Sequence, residues 1–139
     1  MSKNYTDWHC LKTQIESQQQ LIRFHEREVW WISLGKNIGV ELDGKNALFD
    51  RPVLIFRKFN HLMCWILPLT SKQRDDKFHC SFVLKHRIQY AVLSQIRVIS
   101  AKRLIRRIGR ISHSDFLKIS LSFDQLLKQT DPTLGSSGA

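Results

Sequence analysis

Three observations predict a mainly β domain with peripheral helices, an α+β arrangement. Between residues 28 and 99, short β-branched and aromatic runs follow one another in quick succession. The stretches between them hold chain breakers or charge and no helical periodicity. Helical patterning is confined to the two flanks, as an N-terminal amphipathic stretch and later segments beyond residue 100. Many short strands with few helices imply a small, strongly bent sheet or barrel rather than βαβ units.

Residues 5–26 are expected to form a helix. Trp8, Ile15 and Ile22 repeat every seven residues with Leu11 on the same face, Thr6 suits the N-cap and Asp7 the first turn. Docking on the domain is its expected role. Glu28 to Leu34 is the first strand, and Gly35 to Asp50 is a long loop rich in glycine. Strands are then expected at Val53–Phe56, Met63–Leu67, Phe78–Leu84 and Tyr90–Ile99, with Pro52 at the start of the first of these. Ala101–Arg107 has the composition of a short helix, Ile108–Ile111 of a brief strand. Ser112 or Ser114 can cap a last helix striped by Phe116, Ile119, Phe123 and Leu126. The chain therefore divides into a helical extension (1–26), one domain (27–130) and a loose Gly/Ser-rich tail (131–139).

The charge is lopsided. Of 139 residues, 22 are Lys or Arg and 12 are Asp or Glu, a formal net charge of +10. Residues 1–26 balance to neutral, so the surplus lies beyond them, as suits a polyanionic partner or an acidic protein that masks the same surface. Cysteines at 10, 64 and 80 are an odd set in a chain with no secretory leader pattern, which points to a reducing cytoplasm without a disulfide framework. The longest apolar run, Leu62 to Leu69, is too short to span a bilayer, and no membrane role is expected.

Two stretches carry chemical potential: Arg51-Pro52-Val53-Leu54-Ile55 and Pro68-Leu69-Thr70-Ser71. Each joins an apolar strand to a proline and a polar side chain. A guanidinium can hold a phosphorane-like dianion in its fork, and a hydroxyl can hold the same phosphate. On a basic chain this suggests phosphodiester chemistry on RNA. His9-Cys10, His61 with Cys64, and His79-Cys80 make no paired ligand set, and no metal or cofactor is expected.

Taken in order, Glu28-Val29-Trp30-Trp31, Gly39-Val40-Glu41, the Arg51-Pro52 and Pro68-Leu69-Thr70 stretches, and Gln95-Ile96-Arg97-Val98-Ile99 resemble the PemK/MazF family of toxin ribonucleases. A Lys102-Arg103-Leu104 segment and an Ile108-Gly109 step follow, and the resemblance spans roughly residues 27–128. It implies an SH3-like, plasmid-maintenance-toxin barrel and a homodimer that cuts single-stranded RNA without a metal, opposed by a cognate antitoxin protein. Catalysis in the family rests on an Arg and a Thr that match Arg51 and Thr70. The loop between Glu41 and Arg51 is longer than in many members, and the helix at 5–26 is extra to the minimal domain. Glu41 is the candidate proton acceptor, or else an orienting partner for Arg51.

The plainer readings stand beside these. Arg51 could be a strand-edge ion-pairing residue, and Thr70 a turn-closing hydroxyl with Ser71 as a weaker neighbour. Lys72, Arg74 and Lys77 are either a phosphate-meeting loop or a solvated charge run. Gln95 and Arg97, alternating on one face of an expected strand, suit an RNA groove floor or a hydrogen-bond network at an interface. The Lys102, Arg103, Arg106, Arg107, Arg110 run is taken as a solvated helix face. One of Trp30 and Trp31 is expected in the core and the other at an interface. The rival function is a non-cleaving toxin or binding module on the same fold, such as a gyrase poison or an inactive member. Retention of both Arg51 and Thr70 argues against it.

Overall fold

The computed structural model describes residues 5–17, 22–34 and 50–129. Within them lie α1 (Tyr5–Ser17), seven strands and α2 (His113–Lys128). The strands are β1 (Glu28–Ser33), β2 (Asp50–Lys58), β3 (Met63–Thr70), β4 (His79–Leu84), β5 (Arg87–Val92), β6 (Arg97–Ser100) and β7 (Leu104–Arg110). They form an antiparallel sheet in the order β4-β5-β3-β2-β1-β7, with β6 pairing β3 beside that path. The expected mainly β architecture with helices at the periphery is the one observed. No described helix is long and apolar enough to cross a membrane.

The apolar runs become central strands because both of their faces are covered. Val53 and Ile55 face a core with Phe24, Trp30, Ile32, Leu34, Ile66 and Leu104. Leu54 faces the other way, into a core with Val29, Leu67, Leu69, Phe82, Leu93 and Ile119. A strand buried on both sides shows a continuous hydrophobic run in place of alternation. Complete burial of one such side chain contributes about 1.5–3 kcal/mol. α2 closes the second core: Ile119 is fully buried, and Phe56 meets the rings of Phe116 and Phe123 at 5.9 and 5.2 Å. Ser112 caps α2 by accepting the Asp115 N–H, and Asp115 in turn accepts the Val83 N–H, tying helix to sheet.

Several expectations are corrected. The described part of the N-terminal helix is Tyr5–Ser17, with 18–21 outside the described residues, and Thr6 lies inside the helix rather than at its cap. Residues 22–25 are already non-helical, and Arg27 adopts a φ of 75° while its guanidinium donates from Nε and Nη2 to Ile111 O. Strand β2 starts three residues before Val53, so Pro52 lies within it, paired with Trp31. The β2–β3 ladder begins one residue later, at Val53 with Pro68.

The expected strand Tyr90–Ile99 is broken. It divides into β5, a 3₁₀ turn at Leu93–Gln95, and β6, which leaves β4 and β5 to pair with Met63–Ile66 of β3. A two-residue turn joins β4 to β5 through Lys85 and His86, with φ of 50° and 66°, as a type I′ hairpin requires.

The basic run is not a helix either. Only Ala101–Arg103 forms a 3₁₀ turn, started by Ser100 Oγ accepting the Lys102 N–H; the rest is β7. Pairing with β1 overrides the helical propensity of Lys, Arg and Leu. Three of its cations hold the fold. Arg103 Nη1 donates to Ser33 O at 3.1 Å, Arg106 lies 5.9 Å from the Trp31 ring centre, and Arg107 Nε is 3.0 Å from Glu28 Oε2.

Candidate active site

Arg51 is the second residue of β2, where the strand enters the sheet opposite Ile32 of β1. Directly opposed residues of an antiparallel pair share a face, so Arg51 lies on the same face as Ile32, Val53 and Pro68. Continuing the β2–β3 register two residues beyond Val53 and Pro68 brings Arg51 across from Thr70, the last residue of β3. The side chain confirms this approach. Arg51 is 9% exposed and its Nη1 donates to Leu69 O at 3.0 Å. That tether fixes the guanidinium plane beside the end of β3, where a surface arginine would sample many rotamers.

Thr70 is half-buried, and its Oγ1 accepts the Lys72 N–H at 3.2 Å. The turn-closing role is therefore real, and it fixes the hydroxyl beside Arg51. A hydroxyl oxygen that accepts one bond still has its own O–H to donate. Thr70 is also paired with Tyr90 of β5, and Tyr90 with Ser81 of β4. A row of polar side chains thus crosses the sheet from Arg51 through Thr70 and Tyr90 to Ser81, on one face. Tyr90 is half-buried. Its place opposite Thr70 depends on how β5 docks on β3, which leaves no local mark in the sequence.

Beside this row lies a groove with a cavity volume of about 480 Å³, walled by Leu34, Pro68, Ser94, Gln95, Ile96, Arg97 and Val98. Gln95 and Arg97 do come together, although Gln95 belongs to the 3₁₀ turn and only Arg97 to a strand. Arg97 pairs with Ile66 of β3. Neither Arg51 nor Thr70 lines the groove itself; Pro68, two residues before Thr70 on the same face, joins the two.

Ser71, Lys72, Arg74 and Lys77 are exposed in the loop between β3 and β4. Asp76 offsets part of their charge and pairs with His79 at 2.6 Å. The hydrogen bond from His79 is the main reason the Asp76 carboxyl lies below its ordinary value. Glu41 and the loop that carries it lie outside the described residues.

The fold also places two carboxylates that the sequence did not single out, one beside the site and one at the far end of β1. Asp50 directly precedes Arg51, and its Oδ1 is buried without a hydrogen-bond partner among the described residues. Strand alternation sends it to the face opposite Arg51, so it does not serve that guanidinium. Glu28 is 5% exposed and accepts the Trp30 indole N–H at 3.1 Å and the His25 backbone N–H at 2.7 Å. Burial alone would raise its carboxyl. The bonds from Trp30 and His25, with the charges of Arg107 and His25, outweigh that and hold it below the usual range. Its signal was present as the acid opening the Glu28-Val29-Trp30-Trp31 run, yet its role is to fasten β1 to β7.

Residues 25–127 match the family of PemK-like, MazF-like toxins of type II toxin–antitoxin systems. No curated protein sequence matches the chain. Similar folds include a MazF from Deinococcus radiodurans (TM-score 0.60, 12% identity, 78% of this chain and 99% of that one). The Mycobacterium tuberculosis toxin MazF-mt6 is also similar (TM-score 0.55, 15% identity, 76% and 100%). So is a mycobacterial endoribonuclease solved in complex with its cognate antitoxin (TM-score 0.59, 14% identity, 79% and 100%). At such identities these structures support the fold, while the sequence match extends through most of the chain. This protein belongs to the PemK-like, MazF-like toxin family of type II toxin–antitoxin systems.

Proposed function

We propose that the protein is a metal-independent endoribonuclease that cuts single-stranded RNA at a site built on Arg51 and Thr70. The observation that carries this reading is the buried Arg51 guanidinium, fastened to Leu69 O at 3.0 Å beside the Thr70 hydroxyl. Ribonucleotides supply their own nucleophile, the 2′-OH, which attacks the adjacent phosphorus in line. The 5′-oxygen leaves and takes up a proton from water, giving a 2′,3′-cyclic phosphate and a 5′-hydroxyl. A protein then has to align the phosphate and stabilise the charge gathering on its non-bridging oxygens. Arg51 supplies that charge from a fixed position, and Thr70 holds the phosphate in register. Glu41 is the proposed proton acceptor for the 2′-OH, and Gln95 and Arg97 contact the strand from the groove. Ser71, Lys72, Arg74 and Lys77 meet its flanking phosphates.

The protein works as a homodimer in the cytoplasm, with a cognate antitoxin protein as its inhibitor. Exposed Met63, Trp65 and Val98 at the β3–β6 edge offer the dimer an apolar surface to bury. The endoribonuclease of similar fold solved with its antitoxin supports the second partner.

The test is incubation of the full chain with single-stranded RNA in EDTA, alongside Arg51→Ala and Thr70→Ala. Cutting by the parent and a loss of about 10²–10³ for Arg51→Ala are expected, the scale of removing one oxyanion donor. An inactive parent, or full activity in both variants, rejects the reading and favours a non-cleaving toxin or binding module.

A further inference from the structure

Helix α1 lies outside the stretch that the family model matches, yet it builds a cleft with the domain. Trp8 is buried to 9% exposure, with the Arg103 guanidinium 5.6 Å from its ring centre. The cleft beside them, with a volume of about 350 Å³, is walled by Trp8, Lys12, Ile15, Ser100, Lys102 and Arg103. Three of those residues are cationic and none is acidic. The rest give it an indole, an aliphatic side chain and a hydroxyl.

This cleft lies next to the groove beside Arg51 and Thr70, the two having no lining residue in common. On one side Arg103 Nη1 donates to Ser33 O, and the next residue, Leu34, walls the groove. On the other side β6 runs from Arg97 and Val98 in the groove wall to Ser100 in the cleft wall. The two arginines sense each other: burial and then the Arg97 charge lower the Arg103 guanidinium from its ordinary value. Repulsion between fixed cations is relieved when an anion settles across them.

We propose that the α1 cleft is a second RNA-phosphate site, into which the strand passing Arg51 and Thr70 continues, with Lys12, Lys102 and Arg103 as its cations. This rests on the endoribonuclease reading. Single-stranded RNA is favoured over an acidic protein segment because a strand cut at an internal phosphate must leave the site in both directions. The neighbouring cleft gives one of those directions a cationic path.

The experiment uses the full chain with Lys12→Ala and Lys102→Ala combined; Arg103 is left intact because it also holds Ser33. Affinity of a long labelled single-stranded RNA is measured against salt concentration in an Arg51→Ala background, so that binding is read without cutting. The slope of log affinity on log salt should fall by about one per phosphate contact removed. In the cutting-competent chain, KM for the long RNA should rise several-fold while kcat holds. Lys12→Glu alone should weaken binding further than Lys12→Ala. An unchanged slope and KM overturns the proposal. So does an unchanged RNA slope with weakened binding of a poly-glutamate peptide, which would mark the cleft as a protein site. A parent that cuts no RNA strikes the endoribonuclease reading instead, and the binding slope still decides on the cleft.

Discussion

The Arg51 guanidinium donates to the carbonyl of Leu69, one residue before Thr70, at 3.0 Å. This bond crosses from β2 to β3 where their ladder ends, and it converts a long, mobile cation into a positioned one. The arrangement explains why a strand-entry arginine is nearly buried on a chain with so much surface charge.

Tyr90 faces the same row, paired with Thr70. Tyr90→Phe should keep the fold and reduce kcat/KM for RNA cleavage by about tenfold, the value of one hydrogen bond to a charged group. Unchanged kcat/KM with an unchanged melting temperature would remove Tyr90 from the site.

Arg97 lines the groove from β6. Arg97→Ala should reduce the salt slope of single-stranded RNA binding by about one, the loss of a single phosphate contact. A slope equal to the parent's would mean that Arg97 serves an interface and not RNA.

Glu28 makes stability depend on acid. Its carboxyl in the fold lies below the ordinary 4.5, so its stabilisation is complete above that value and is lost as pH falls through the lower folded value. Glu28→Gln should destabilise the protein at neutral pH by about 1–3 kcal/mol, since Arg107 loses its charged partner, and should flatten the acid limb of the urea-unfolding profile. An identical acid limb would show that other carboxylates dominate.

The three cysteines should differ sharply toward a thiol reagent. Cys10 is exposed, whereas Cys64 and Cys80 are buried and free, and burial pushes the Cys64 thiol up to about 12 against the opposing charge of Lys58. The native protein should label rapidly at Cys10 alone, with the others following only on unfolding. Fast native labelling of Cys64 would contradict its burial in the core with Ile66 and Leu104.

How far the sequence was legible follows from what each feature depends on. Local chemistry was readable: the first strand, the Arg51-Pro52 entry, the Ser112 cap and the apolar stripe of α2 all rest on neighbouring residues. Arg51 and Thr70 were identified because both lie at strand ends in an ordered set of motifs. The break between Tyr90 and Ile99 was hidden because Ala91, Val92 and Leu93 are equally apolar in strand or 3₁₀ turn, and only the crossing of β6 to β3 demands the turn. The run at 102–110 suggested a helix because its residues favour one, and pairing with β1 prevailed. Tyr90, Asp50 and Glu28 entered the account through register and burial, properties that arise between strands and not along one.

The central claim is that Arg51 and Thr70 act on one phosphate as a unit. The most direct test is a double-mutant cycle on RNA cleavage in EDTA, measuring kcat/KM for the parent, Arg51→Ala, Thr70→Ala and the combined variant. Each single variant should lose activity, and the combined variant should be little worse than Arg51→Ala alone. Losses that simply multiply, or a single variant as active as the parent, would contradict it.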